Sequence, residues 1–167
     1  MDKLAILVLG ESNSGKSTVW YSLFDGQVQT GKYERSLDLG EGSAGDVLLI
    51  NGKNSVDVFL INGSPEETGV TAEDRLGDVD ARIVLCSTQY SHDARETMDF
   101  FIENNYEVSV FWLNPGVSDT RSYFDFEGLA QYLMNAGADV RMCAGLDSDK
   151  TASNVLERIF GWAAYNL

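Results

Sequence analysis

The stretch Gly10-Glu11-Ser12-Asn13-Ser14-Gly15-Lys16-Ser17 has the spacing G-x-x-x-x-G-K-S and stands directly behind the apolar run Leu4–Leu9. A buried strand, a glycine-bounded turn and then a helix start form the context in which this spacing cradles phosphate. The two glycines let consecutive backbone N–H groups turn inward as an anion nest. The helix that follows directs its positive N-terminus at the same point. Gly10, Glu11, Ser12, Asn13, Ser14, Gly15, Lys16 and Ser17 are therefore the candidate phosphate-binding residues, with Thr18 beside them at the helix start. Lys16 supplies charge over the outer phosphates and is the first catalytic candidate, while Ser17 offers a hydroxyl to Mg²⁺. The lysine is expected to be exposed before a ligand binds.

Charge and length narrow the classes of chain to which such a loop can belong. The 167 residues suit one domain, 1–167, with a substantial core. An apolar content of 44% with 11% aromatics argues for a folded globule. The net charge of −14 excludes a broad nucleic-acid footprint and disfavours docking on anionic membranes. An acidic surface also suits a basic protein partner. No apolar run reaches the ~20 residues that span a bilayer. Met1-Asp2-Lys3 leads straight into the first strand, so a cytoplasmic protein without a signal peptide is expected. Cys86 and Cys143 fall in expected strands outside any C-x-x-C pair and read as reduced core residues.

Strand-like runs alternate with helical patterns along the chain. The strands are expected at Leu4–Leu9, Asp46–Ile50, Val56–Ile61, Arg82–Ser87, Val108–Leu113 and Asp139–Ala144. Helices are expected at Lys16–Phe24, around Ala72–Leu76, and at His92–Asn104, Phe126–Asn135 and Ser153–Tyr165. Ala94, Met98, Phe101 and Ile102 share one helix face. Such alternation predicts an α/β chain, with a mostly parallel sheet covered by helices on both faces. The runs Asp46–Ile50 and Val56–Ile61 are too close for a parallel crossover, so they are expected to pair antiparallel around Asn51-Gly52.

The order of strand, phosphate loop, helix, long loop, antiparallel hairpin and alternating αβ units resembles the Ras-like small GTPases over essentially the whole chain. The resemblance implies a three-layer P-loop NTPase fold, with a six-stranded sheet containing one antiparallel strand. It also implies GTP and GDP as ligands, with ATP left open, and Mg²⁺. The long loop Gln27–Gly45 takes the place of the family's first switch, where Thr30 and Ser36 offer hydroxyls and Ser36 lies nearer the usual spacing for a metal ligand. At the family's D-x-x-G, Asn62 replaces the Asp and Pro65 the Gly; Glu66 stands where a Gln positions water, and is the second catalytic candidate. Metal candidates are thus Ser17, Ser36 and Asn62. A neutral amide at Asn62 weakens Mg²⁺ retention, and Pro65 has no N–H with which to sense a γ-phosphate.

The base-recognition motifs are altered as well. The family's N-K-x-D becomes Asn114-Pro115-Gly116-Val117-Ser118-Asp119, with Asn114 and Asp119 as the candidate base contacts. The family's S-A-K becomes Cys143-Ala144-Gly145, so Ala144 is the residue retained. The expected activity is slow Mg²⁺-assisted nucleoside triphosphate hydrolysis, with GTP ahead of ATP, since no arginine in cis and no standard water-positioning Gln is identifiable. An activating protein partner could supply an arginine; Arg35 and Arg75 are the internal candidates. A non-hydrolysing interaction module and a P-loop kinase are the alternatives. Trp112 ends a strand on the side where α/β sheets bind ligands and is a possible neighbour of the base.

Overall fold

The apolar run behind the loop forms the enclosed centre of the sheet, with every residue from Leu4 to Leu9 fully buried. The computed structural model describes residues 2–26, 28, 34–38, 50, 52–114, 125–144 and 147–167. Its first half runs β1 (Lys3–Gly10), α1 (Lys16–Leu23), β2 (Glu34–Asp38), β3 (Ser55–Ile61), α2 (Pro65–Thr68) and α3 (Ala72–Leu76). The second half runs β4 (Ile83–Gln89), α4 (Ala94–Glu103), β5 (Tyr106–Leu113), α5 (Leu129–Asn135), β6 (Asp139–Cys143) and α6 (Ser148–Asn166).

The strands form one six-stranded sheet in the order β2-β3-β4-β1-β5-β6. All neighbours are parallel except β2 and β3. Side chains alternate across β1, and both faces are covered. Leu4, Ile6 and Val8 join Val19 and Trp20 of α1 and Val155, Ile159 and Trp162 of α6. Ala5, Leu7 and Leu9 join Leu76 of α3, Met98 and Phe101 of α4 and Leu133 of α5. Burial on both faces is why these strands read as unbroken apolar runs rather than alternating ones.

This topology gathers three strand ends. From β1 the chain crosses one face to the β2–β3 edge, whereas β4 connects over the other face, past β1, to β5. In register, Gly10 lies opposite Gln89, and Leu9 opposite Trp112. The carboxyl ends of β4, β1 and β5 therefore meet at the place where the connections diverge, which is where open α/β sheets form a ligand crevice. Helix α1 is fastened under that crevice by the Trp20 indole, whose Nε1–H donates to Ser87 Oγ of β4 at 2.7 Å.

The antiparallel edge differs from the sequence expectation. The partner of β3 is Glu34–Asp38, inside the stretch assigned to the first switch loop, and not Asp46–Ile50. Strand β3 pairs with β2 along Ser55–Phe59 and with β4 along Phe59–Ile61. Residues 46–49 and 51 lie outside the described residues; Ile50 and Lys53 close a turn by exchanging backbone bonds of 2.8 and 3.0 Å. The polar sequence Glu-Arg-Ser-Leu-Asp suffices for an edge strand because only Leu37 must be buried, alongside Val56 and Val58. Cys86 is a core thiol pushed by burial up to about 12, whereas Cys143 is only half-buried. Trp112 is buried and stacked on Tyr90 at a centroid distance of 5.1 Å.

Ser87→Ala should destabilise the fold by about 1–3 kcal/mol, because it strands the buried Trp20 N–H without an acceptor. Urea denaturation measures this, and Trp20→Phe in the same background should cost less than it does alone, since the two groups share one bond.

Candidate functional site

The loop between β1 and α1 is shaped by two residues in left-handed conformation, Asn13 at φ 61° and Gly15 at φ 98°. The Ser14 N–H closes an inner turn on Glu11 O at 3.1 Å. Helix α1 then starts at Gly15 with no side-chain cap and no acid in its first turn. The first N–H groups of such a helix have no partner within it, so they face outward toward an anion.

Gly10 is required by crowding. A Cβ on it would lie 2.2 Å from Ser14 Oγ and 3.0 Å from Ser14 Cβ. That contact lets the end of β1 and the top of the loop close on each other, and it leaves the Ser14 hydroxyl buried without a hydrogen-bond partner. From the β5 side, the Asn114 amide donates to Ser14 O at 3.1 Å, and the Asn114 N–H donates to Cys143 O at 2.8 Å. Asn114 thus holds the loop, with Ala144 next along the chain from its β6 partner. Asp119, Pro115, Gly145 and Thr30 lie outside the described residues.

Lys16 corrects the expectation of an exposed lysine. Its side chain folds back over the loop and is buried, donating to Gly10 O at 3.1 Å, Glu11 O at 2.9 Å and Gln89 Oε1 at 3.0 Å. Both backbone carbonyls also accept an N–H, Gly10 O from Tyr90 at 2.8 Å and Glu11 O from Ser14 at 3.1 Å, so the ammonium adds a charged donor to carbonyls that are already bonded. Burial lowers its pKa, opposed by the nearby Glu67, Glu66 and Glu11 carboxylates. Gln89 is a residue that sequence reasoning missed. The expected strand ended at Ser87, and only the adjacency of β4 to β1 brings Gln89 to the loop.

The metal candidates separate. Ser17 Oγ and Asn62 Oδ1 meet at 3.4 Å, so two of the three are together. Ser36 is not with them. It sits within β2 opposite Asp57, with its hydroxyl 3.3 Å from Asp57 Oδ1. Asp57 is five residues before Asn62 in sequence, about 16 Å along extended chain. An edge strand antiparallel to β3 carries its middle toward the opposite end of the sheet. The remaining donor set, one hydroxyl and one amide, fits Mg²⁺ only alongside phosphate oxygens, as this ion is commonly held. Among the described residues no group of three or more His, Cys, Asp or Glu side chains could hold a metal without such help.

Glu66 occupies an anchoring position. One carboxylate oxygen accepts the Gln89 N–H at 3.1 Å and the other the Thr97 hydroxyl at 2.6 Å. Both oxygens are engaged, tying α2 to β4 and α4. Pro65 is the first residue of α2, capped by Ser64, whose Oγ accepts the Glu67 N–H and whose hydroxyl donates to the Glu67 carboxylate at 2.9 Å. The Arg75 guanidinium binds the carbonyls of Asn62 and Gly63 and the Thr68 hydroxyl. Arg35 lies 4.8 Å over the Phe24 ring. Neither arginine faces the loop.

A de novo designed protein of P-loop NTPase fold, solved by solution NMR, matches this chain with a TM-score of 0.55. Identity is 10%, and the match covers 98% of each chain. The chain has the P-loop NTPase fold. No family model and no curated protein matches the sequence. Among the described residues, no helix is long and apolar enough to cross a membrane.

Gly10→Ala should destabilise the protein by about 1–3 kcal/mol through overpacking against Ser14. Ser14→Gly in the same chain should restore most of that loss in chemical denaturation, because it removes both atoms that the new methyl meets.

Proposed function

We propose that the chain binds a nucleoside triphosphate with Mg²⁺ in the manner of a divergent Ras-like GTPase, and hydrolyses it slowly. The observation that carries this reading is the loop itself. A loop with left-handed turns at Asn13 and Gly15, a helix start without a side-chain cap and a buried lysine meet beside Gly10, where an added Cβ would crowd Ser14. No side chain of neutral character needs that arrangement; a polyphosphate does. Lys16 would turn from the carbonyls of Gly10 and Glu11 to the outer phosphates, and Ser17 with Asn62 would hold the metal with phosphate oxygens. Mg²⁺, when bound, supplies charge neutralisation across the outer phosphates. Asn114 braces the loop from the base side, and Asp119 with Ala144 would complete base recognition, which favours guanine only through the family resemblance.

Slow turnover follows from the α2 corner. Glu66 has both oxygens committed, Arg75 is spent on the Asn62–Gly63 turn, and Pro65 offers no N–H. An activating partner would have to bring an arginine of its own. The same three observations favour a second reading, a nucleotide-bound assembly module that does not hydrolyse at all.

A thermal-shift panel of GTP, GDP, ATP and ADP, with and without Mg²⁺, tests the reading. A ligand at a hundred times its Kd should add about 2.7 kcal/mol of stability, and Lys16→Ala should abolish the shift. No shift with any of the four would remove the proposal. Phosphate release without a partner should stay below about one per second; no release at all beside tight binding would select the assembly module.

A further inference from the structure

Glu67 does something that its role in the α2 cap does not require. Its Oε2 accepts the Ser64 hydroxyl at 2.9 Å, and its N–H donates to Ser64 Oγ at 3.3 Å, which completes the cap. The other oxygen, Oε1, leaves the helix and reaches across to the loop. There it accepts the Ser12 hydroxyl at 3.3 Å and stands 3.8 Å from the Lys16 ammonium. Ser12 and Glu67 are 55 residues apart in sequence, so this contact is purely tertiary.

We propose that the Glu67 carboxylate is an internal competitor for the phosphate seat, lowering the affinity of the loop for phosphate groups. The inference rests on the phosphate-binding reading above. A carboxylate oxygen and a phosphate oxygen make the same demand, donors at hydrogen-bond range with positive charge behind them. Here the loop hydroxyl and the loop lysine already answer that demand from within the chain. An incoming phosphate must draw Lys16 outward and displace Glu67 from Ser12, because like charges cannot share one small donor set. The competent loop is then only a fraction of the population, and apparent affinity falls by that fraction. Every anion that needs this seat meets the same competitor, so the reduction is common to mono- and polyphosphates. Displacement of Glu67 is also felt in α2, since the same side chain holds the Ser64 cap.

The test compares wild type with Glu67→Gln by calorimetry, using inorganic phosphate, pyrophosphate and tripolyphosphate, then GTP and ATP. Gln at this position keeps the cap, since its side-chain oxygen can still accept from Ser64. Tripolyphosphate should bind the variant about tenfold or more tightly, given the cost of like-charge juxtaposition. Inorganic phosphate and pyrophosphate should gain by a similar factor, because all three displace the same carboxylate. A second measurement uses wild type alone. Tripolyphosphate should shift the Glu67 side-chain carboxyl carbon resonance, and that shift should be absent on adding chloride of equal ionic strength. Wild type binding polyphosphate while Glu67→Gln binds equally or more weakly would overturn the role of Glu67 and leave the nucleotide reading standing. An unmoved Glu67 resonance at saturation would overturn it too. If neither protein binds any polyphosphate or nucleotide, both proposals fall.

Discussion

The Lys16 ammonium is the contact around which the end of β1, the loop and the end of β4 are assembled. Gly10 O and Glu11 O both accept from Nζ, and Gln89 Oε1 shares it. The two carbonyls also accept the Tyr90 and Ser14 N–H groups, and hydrogen bonds from a charged donor are the stronger kind. One charged group thus closes the end of β1, fixes the loop over it and locks the loop to β4. The acceptors of the ammonium all lie within the chain, so under the proposed function phosphate would replace carbonyls around it.

The corner after β3 is built on the opposite principle, with no group left over. Ser64 caps α2, Pro65 opens it, Glu66 ties it to Gln89 and Thr97, and Arg75 ties Asn62, Gly63 and Thr68 into one turn. Pro at the first helical position suits a helix start because the missing N–H would have no partner there. A corner so fully bonded resists the order–disorder change by which nucleotide-dependent loops report a γ-phosphate. Among the described contacts, Glu67 is the side chain of α2 that touches the loop directly, while Glu66 connects to Lys16 by way of Gln89.

Much of the architecture was legible in one dimension. Five of the strands and the five longer helices lie where the apolar runs and helical faces put them, because a strand buried on both faces must be continuously apolar and a covered helix must keep a stripe. Glu34–Asp38 was not legible. Its single buried residue, Leu37, gives no pattern, and Asp46–Ile50 is the more strand-like sequence. Propensity ranks segments by their own residues, while a sheet edge is awarded to whichever segment can reach it with its backbone free.

The phosphate loop itself was written in eight consecutive residues, since left-handed turns at Asn13 and Gly15 and a glycine without room for a Cβ are demands met within a few bonds. Nothing local could announce the rest of the site. Gln89 belongs to it because β4, and not β3, lies beside β1; Ser36 drops out because β2 runs antiparallel toward the other end of the sheet. Glu66 becomes an anchor and Glu67 a phosphate competitor through contacts with Thr97 and Ser12, far away in sequence. Backbone conformation is a short-range property that residue types carry with them. Which carboxylate meets which ammonium depends on strand order, and strand order is settled only when the whole sheet packs.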